Sequence, residues 1–150
     1  MKSTKNMIWF NAVITALIIA VSCTPAVKYP KTFIPGLVSE SISIEIPVNL
    51  QSDAVWQSAV AVLAQKYSLA TISKEAGNII TDWVYSATGK DKTVNDYRVR
   101  GLISFASDWT KVNLGTEANY LKNDEWLVGH DTELLGNLQT AINEIIEITK

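Results

Sequence analysis

Residues 97–105 and 112–120 constrain the fold more than any other part of the chain, because apolar and polar side chains alternate in both segments. A polar bend, Ser107-Asp108-Trp109-Thr110, separates the two segments. Pairing outward from this bend places apolar residues opposite each other and a cation opposite an anion: Phe105 with Val112, Ile103 with Leu114, and Arg100 with Glu117. Hydrophobic faces and charges agree on this register, so we predict an antiparallel hairpin.

Two other segments have the apolar period of amphipathic helices. The first begins after a cap at Ser52 or Asp53 and runs to about Tyr67. The second follows Asp131 and continues almost to the C-terminus, with Asp131 and Glu133 suited to its positive N-terminal end. In both segments the large apolar side chains lie within one arc, so each helix is predicted to pack one face and to expose the other.

Shorter alternating segments complete the predicted sheet. Ser41–Val48, Leu69–Ser73 and Ile79–Tyr85 have the period of strands, Gly77-Asn78 supplies a turn, and Trp126–Val128 suits a last short strand. The order is therefore strand, helix, four or five antiparallel strands, helix. This order predicts an α+β helix-grip layer, β-α-β-β-β-β(-β)-α, with both helices on one face of an antiparallel sheet.

The N-terminus has the pattern of an export signal. Lys2 and Lys5 precede an apolar run that ends at Cys23, the only cysteine in the chain. Two other readings stay open. An uncleaved transmembrane helix needs about 20 apolar residues, whereas residues 7–22 are only 16 residues long and include the polar Asn11. A plain secretory signal would leave Cys23 as a lone thiol in an oxidising compartment.

This N-terminus resembles a bacterial lipoprotein signal, with Ala20 where that family usually has leucine. The resemblance implies cleavage after Ser22, acyl chains on the Cys23 sulfur, and acylation of the new amino group. Several acyl chains hold a protein firmly on a membrane. In Gram-negative lipoproteins an aspartate after the lipidated cysteine usually means retention at the inner membrane, and this chain has Thr24. The resemblance therefore implies the outer membrane, with the domain facing the periplasm.

Residues 23–40 are predicted to form a tether between the anchor and a folded domain that spans residues 41–150. Pro25, Pro30, Pro35 and Gly36 interrupt any regular period there. The strongly apolar pair in this tether is Phe33-Ile34. The pair either docks on the domain or forms a short binding site for a partner, so Phe33 and Ile34 are candidate partner-binding residues. Trp109 is the third candidate, because it places a large aromatic side chain at a predicted hairpin tip.

Charge and residue types exclude several classes of function. Removing residues 1–22 removes Lys2 and Lys5, so 11 basic residues remain against 15 acidic ones and the formal net charge becomes −4. That balance argues against nucleic acid as a partner. His130 is the only histidine and is interpreted as a loop residue. The carboxylates of Asp124, Glu125, Asp131 and Glu133 lack the spacing of a calcium loop. We predict no catalytic residue, no metal site and no cofactor.

One further resemblance concerns the folded part. Trp56, the aromatic helix end at Tyr67, and the segment Gly77–Trp83, GNIITDW, look like the domain repeated in BamC-like outer-membrane lipoproteins. Members of that family belong to the machinery that inserts β-barrels, and its best-known members have two such domains, whereas this chain has room for one. The resemblance implies a protein-binding role in outer-membrane assembly.

Three classes of function follow, in order of preference. The first is a lipid-anchored interaction module that binds another envelope protein, in outer-membrane protein assembly or another complex. The alternative is a carrier or sensor that holds a small apolar ligand between helix and sheet. An enzyme comes third. Large aliphatic side chains fill the predicted inner face, which favours a solid core over a ligand cavity.

Overall fold

A computed structural model describes residues 30–36, 40–89 and 94–150. The predicted signal peptide, the lipidation site Cys23 and Thr24 lie outside the described residues. In the described part, eight strands and two helices follow one another along the chain. They are β1 Phe33–Pro35, β2 Ile42–Glu45, α1 Ser52–Lys66, β3 Leu69–Ser73, β4 Asn78–Thr81, β5 Val84–Ser86, β6 Tyr97–Phe105, β7 Lys111–Lys122, β8 Glu125–Asp131 and α2 Thr132–Thr149.

The long strands β6 and β7 form the centre of one antiparallel sheet. On the far side of β6, strands β4 and β5 pair with it one after the other, and β3 lies outside β4. On the far side of β7, strands β2 and β8 pair with it in the same way, and β1 lies outside β8. The predicted α+β class is confirmed by this antiparallel sheet and its two helices.

The hairpin register predicted from the sequence is confirmed. Phe105 pairs with Val112, Ile103 with Leu114, and Arg100 with Glu117. The bend is closed by a hydrogen bond from the Trp109 amide to the carbonyl of Ala106, with an N–O distance of 2.9 Å. Trp109 has a φ of 58°, a conformation that favours glycine or asparagine.

Both helices pack on one face of the sheet, here called the inner face. A cluster of buried side chains joins Ala59 and Leu63 of α1 to Leu138 and Ile142 of α2 and to Ile103 of β6. The N-terminal cap of α1 is Gln51, which makes no side-chain cap hydrogen bond, so the predicted cap at Ser52 or Asp53 was wrong by one or two positions. Asp131 is the cap of α2 and accepts a hydrogen bond of 2.6 Å from the Leu134 amide.

The strand predicted over Ile79–Tyr85 is two strands. After Thr81 the ladder with β6 breaks, because the Thr81 hydroxyl accepts the hydrogen bond of the Gly101 amide at 2.8 Å. Pairing resumes at Val84. The break changes which side chains face the helices, because Ile79 pairs on the inner face with Ile103 whereas Tyr85 pairs on the outer face with Arg98. An unbroken strand would have placed Ile79 and Tyr85 on the same face.

Two predicted loop segments are strands. Phe33–Pro35, assigned to the tether, pairs with Gly129–Asp131. The last strand is also longer than the predicted Trp126–Val128, since β8 continues to Asp131. Both errors have one cause. Each segment gains its hydrogen bonds from the other across almost the whole described chain, and local alternation gives no sign of such a partner.

Candidate interaction surface

The outer face of the sheet, which the two helices leave uncovered, has one row of side chains that crosses four strands. Tyr85 of β5 pairs with Arg98 of β6, Arg98 with Asn119 of β7, and Asn119 with Val128 of β8. Tyr85 and Val128 are about half exposed, at 50 % and 49 %. The row therefore has a cation near its centre and an exposed apolar side chain at each end.

Two tryptophans bring their rings against the arginines of this face. The guanidinium carbon of Arg98 lies 4.7 Å from the ring centroid of Trp83 and 4.5 Å from that of Trp126. The guanidinium carbon of Arg100 lies 4.6 Å from the Trp83 centroid. We call Arg100, Trp83, Arg98 and Trp126 the Arg–Trp row. Each contact lies within the distance at which a cation is attracted to an aromatic face.

The fold explains how these four residues meet. Arg98 and Arg100 alternate with the inner-facing residues of β6, so both point to the outer face. Trp83 lies at the break between β4 and β5, on one side of β6. Trp126 comes from β8, beyond β7 on the other side. The Arg–Trp row thus depends on three separate chain segments.

The two arginines differ in how their charges are satisfied. Arg100 donates from Nε to the Glu117 carboxylate at 2.7 Å, and its Nη2 lies 2.6 Å from the same oxygen. Arg98 donates from Nε to the amide oxygen of Asn119 at 3.0 Å. Among residues 30–36, 40–89 and 94–150, Arg98 makes no ion pair. Within those ranges, the contacts to the Arg98 guanidinium come from neutral groups, the rings of Trp83 and Trp126 and the amide of Asn119.

A second feature lies on the inner side, at the N-terminal end of α2. It is an open cleft of about 390 Å³, lined mostly by apolar atoms of residues that include Val84, Val99 and Leu134. At its polar end the Tyr97 hydroxyl donates to the Asp131 carboxylate at 2.6 Å. Burial raises the pKa of Tyr97, and the hydrogen bond and charge of Asp131 raise it further. Tyr97 is therefore a neutral donor at physiological pH.

The core beneath the middle of α2 is filled. Leu138, Ile142 and Ile145 have almost no exposed surface. Leu138 packs directly on Gly101 of β6, where an added Cβ would lie 2.9 Å from the Leu138 Cδ1 atom. The 390 Å³ cleft is thus at the end of the helix and not underneath it.

His130 is a buried strand residue, so its interpretation as a loop histidine was wrong. It lies in β8 with 6 % of its surface exposed. Neither ring nitrogen has a hydrogen-bond partner within the described residues. The nearest charged group recorded for it is the Glu40 carboxylate, with 3.7 Å between Nε2 and Oε2. Burial follows from the pairing of β8 with β1, which places Ile34 opposite His130.

The three candidate partner-binding residues lie in different environments. Phe33 is buried with Tyr97 and Ala118, so it docks on the domain, one of the alternatives that the sequence left open. Ile34, its neighbour in β1, is 42 % exposed and lies on the outer face. Trp109 is half-buried and packs on Trp56 and Phe105, with ring centroids 5.9 and 5.2 Å away.

The carboxylates singled out in the sequence do not form a site in the described residues. Asp124 and Glu125 are exposed at the turn between β7 and β8. Asp131 is committed to the α2 cap and to Tyr97. No group of three or more His, Cys, Asp or Glu residues that could hold a metal ion occurs in the part of the chain that the structure describes.

Sequence reasoning missed the Arg–Trp row. No binding role is predicted from the sequence for Arg98, Trp83 or Trp126. One signal was present, since Arg98 and Arg100 share the polar face of a long strand that is otherwise rich in apolar residues. The face of the sheet on which Trp83 lies could not be predicted from the sequence, because it depends on the break in the ladder after Thr81.

Comparison with known proteins assigns no family to this chain. No protein-family model matches the chain, and no curated protein matches it. Among solved structures, a TBP-like protein from Parabacteroides distasonis ATCC 8503 aligns with a TM-score of 0.48 and 12 % identity, covering 82 % of this chain and 98 % of that one. The description of the fold is based on the sheet order and helix packing given above, and not on this alignment. The BamC-like resemblance stays a prediction from the sequence.

None of the helices within the described ranges has both the length and the apolar character needed to span a membrane.

Proposed function

We propose that this chain is a lipid-anchored interaction module that binds another envelope protein through the outer face of its sheet. The observation that carries this proposal is the Arg–Trp row. Tryptophan, tyrosine and arginine are the residues most enriched where binding energy is concentrated in protein interfaces. Here they lie together on the face that the helices leave uncovered, with Trp126 39 % exposed.

The anchor and the compartment belong to the same proposal and rest on the sequence. Acylation of Cys23 would hold the domain at the periplasmic face of the outer membrane, where a role in outer-membrane protein assembly, or in another envelope complex, fits the BamC-like resemblance. A Cys23→Ser variant should leave the membrane fraction. Recovery of that variant in membranes would show that the anchor assignment is wrong.

Site-specific photocrosslinking in the native envelope tests the binding surface. A photoreactive amino acid at Val128, on the outer face, should capture one protein. The same amino acid at Ile148 is the matched control, because Ile148 is similarly exposed but belongs to the helical layer. Trp126→Ala should remove the Val128 crosslink. Equal labelling from both positions, or none from Val128, would contradict the proposal.

The cleft at the N-terminal end of α2 supports a second candidate, a carrier or sensor for a small apolar ligand. Its volume of about 390 Å³ is within the range of small-molecule sites, and most of its lining is apolar. Val84→Trp would fill the cleft from its rim without touching the outer face. If an apolar fluorescent probe binds the native chain and the Val84→Trp variant equally, the cleft is not a ligand site.

A further inference from the structure

The guanidinium of Arg98 makes no ion pair with the described residues, and three contacts hold it in position. Trp83, at the break between β4 and β5, and Trp126, in β8, approach it from opposite sides of β6, with ring centroids at 4.7 and 4.5 Å. Asn119 accepts its Nε hydrogen at 3.0 Å. These three contacts hold the guanidinium between two indole rings and an amide oxygen. The Nη groups make no hydrogen bond or ion pair with the described residues.

The nearest carboxylate on this stretch of β7 is engaged by the neighbouring arginine. Glu117 is committed to Arg100, with 2.7 Å to Nε and 2.6 Å to Nη2. Indole rings attract a cation but leave its N–H donors unpaired. A guanidinium whose position is already fixed loses little freedom when it binds, and one N–H from each of its two Nη groups can match the two oxygens of a carboxylate.

We propose that the partner inserts an aspartate or glutamate carboxylate at Arg98, so that the outer face recognises an acidic segment of another protein. This rests on the proposed function. In the line of paired residues that crosses the sheet at Arg98, Tyr85 lies on one side of Arg98 and Val128 lies on the other. With strands about 4.8 Å apart, these apolar groups lie about 5 and about 10 Å from Arg98. The segment that fits carries an acidic residue flanked by apolar ones.

The number of unpaired cations on the outer face favours a single carboxylate over nucleic acid or an anionic membrane as the ligand. Nucleic acid and anionic membranes are bound by many unpaired cations that act together. The Arg–Trp row has two arginines, of which Arg100 is already paired with Glu117. After removal of residues 1–22 the chain has 15 acidic residues against 11 basic ones, a formal net charge of −4. A single carboxylate from a protein is the anion that this geometry can hold.

The test is an NMR titration of the ¹⁵N-labelled full chain in a non-ionic detergent. The probe is a short peptide with one glutamate between tyrosine and valine, and the matched probe replaces the glutamate by glutamine. The Arg98 Nε–H signal and the indole N–H signals of Trp83 and Trp126 should shift with the glutamate peptide. We expect the glutamine peptide to bind about 10-fold more weakly or worse, because a charge-assisted hydrogen bond is lost.

Three variants assign the effect to Arg98. Arg98→Gln should abolish the preference for glutamate over glutamine. Arg98→Lys, which keeps the charge but not the planar fork, should retain a smaller preference for glutamate. That remaining preference would show that the fold survives substitution at this position. Lys111→Gln is the control, since Lys111 is an exposed cation at the far end of β7 on the same sheet face, and it should leave the preference unchanged.

Other results would overturn the inference. Equal binding of the two peptides, or an undiminished preference in Arg98→Gln, would show that no carboxylate is recognised there. Shifts with phosphatidylglycerol vesicles and none with peptide would assign the surface to a membrane. A dimer that dissociates on Arg98→Gln substitution, without peptide binding, would make a second copy the occupant.

The Val128 photocrosslink separates this inference from the proposed function. If that crosslink persists at full strength in Arg98→Gln, the outer face binds a partner but not through a carboxylate at Arg98. If Val128 gives no crosslink even with Arg98 intact, the proposed function fails whatever the peptides do.

Discussion

The loss of unfolding free energy in a Phe33→Ala variant tests whether the segment before residue 41 is part of the folded domain. Phe33 is 4 % exposed, and its ring meets that of Tyr97 edge-on at 5.9 Å and that of Tyr120 at 6.1 Å. Truncating a buried phenylalanine typically costs about 3–5 kcal/mol. Since β1 has three residues and lies at the sheet edge, its surroundings can relax. We therefore expect the lower end of that range, about 3 kcal/mol of unfolding free energy.

Ile34→Ala is the matched control, because Ile34 is the next residue of the same strand but is 42 % exposed. Its loss should be about 1 kcal/mol or less, since only part of its side chain is removed from water. Urea unfolding followed by tryptophan fluorescence measures both variants. For a slope of about 2 kcal/mol per M, the midpoint for Phe33→Ala should fall by about 1.5 M and the slope should not change.

Two results would refute this reasoning. If Phe33→Ala costs no more than Ile34→Ala, residues 33–35 add nothing to the core, and the domain starts at Ser41 as the sequence predicts. If the midpoint is unchanged while the amides of β1 lose hydrogen-exchange protection, the strand opens locally and does not share in cooperative unfolding.

Three further predictions concern the inner face and the turns. Burial and Asp131 raise the pKa of Tyr97, so above about pH 10 the unfolded state loses this proton first, and stability should fall by up to about 1.4 kcal/mol per pH unit. Tyr97→Phe should make urea midpoints between about pH 9 and about pH 11 less dependent on pH. Trp109→Ala should cost about 1–3 kcal/mol, measured by urea unfolding, because its ring packs on Phe105; no loss would show that Trp109 is free for a partner. Gly77→Ala should lower the melting temperature, because φ is 66° and a Cβ would lie 2.7 Å from the Phe105 carbonyl oxygen; an unchanged temperature would contradict this strain.

The outer face depends on contacts between distant segments, and this is why the sequence did not reveal it. Trp83 reaches Arg98 because the Thr81 hydroxyl takes the Gly101 amide and breaks the ladder there. Trp126 reaches Arg98 across the intervening strand β7. Neither contact leaves a local period in the sequence, because side-chain alternation reports only which residues of one strand share a face.

The sequence alone determined the centre of this fold. Cross-strand matching of Phe105 with Val112 and of Arg100 with Glu117 was sufficient to set the β6–β7 register, because a slip by one residue would turn every side chain to the opposite face. The amphipathic periods of α1 and α2 likewise predicted two helices on one side of an antiparallel sheet. The helical periods are local in the sequence, and the β6–β7 pairs lie symmetrically about one turn.

Only the tertiary structure decided the edges and the exposed face. Phe33 pairs with Asp131, almost a hundred residues away, and that pairing turns part of a predicted tether into a strand and buries His130. A short strand has little propensity of its own and forms because a partner edge and an apolar site are available. The same non-local pairing lengthens β8, while the break after Thr81 turns Tyr85 outward, so the binding surface is a property of the assembled sheet.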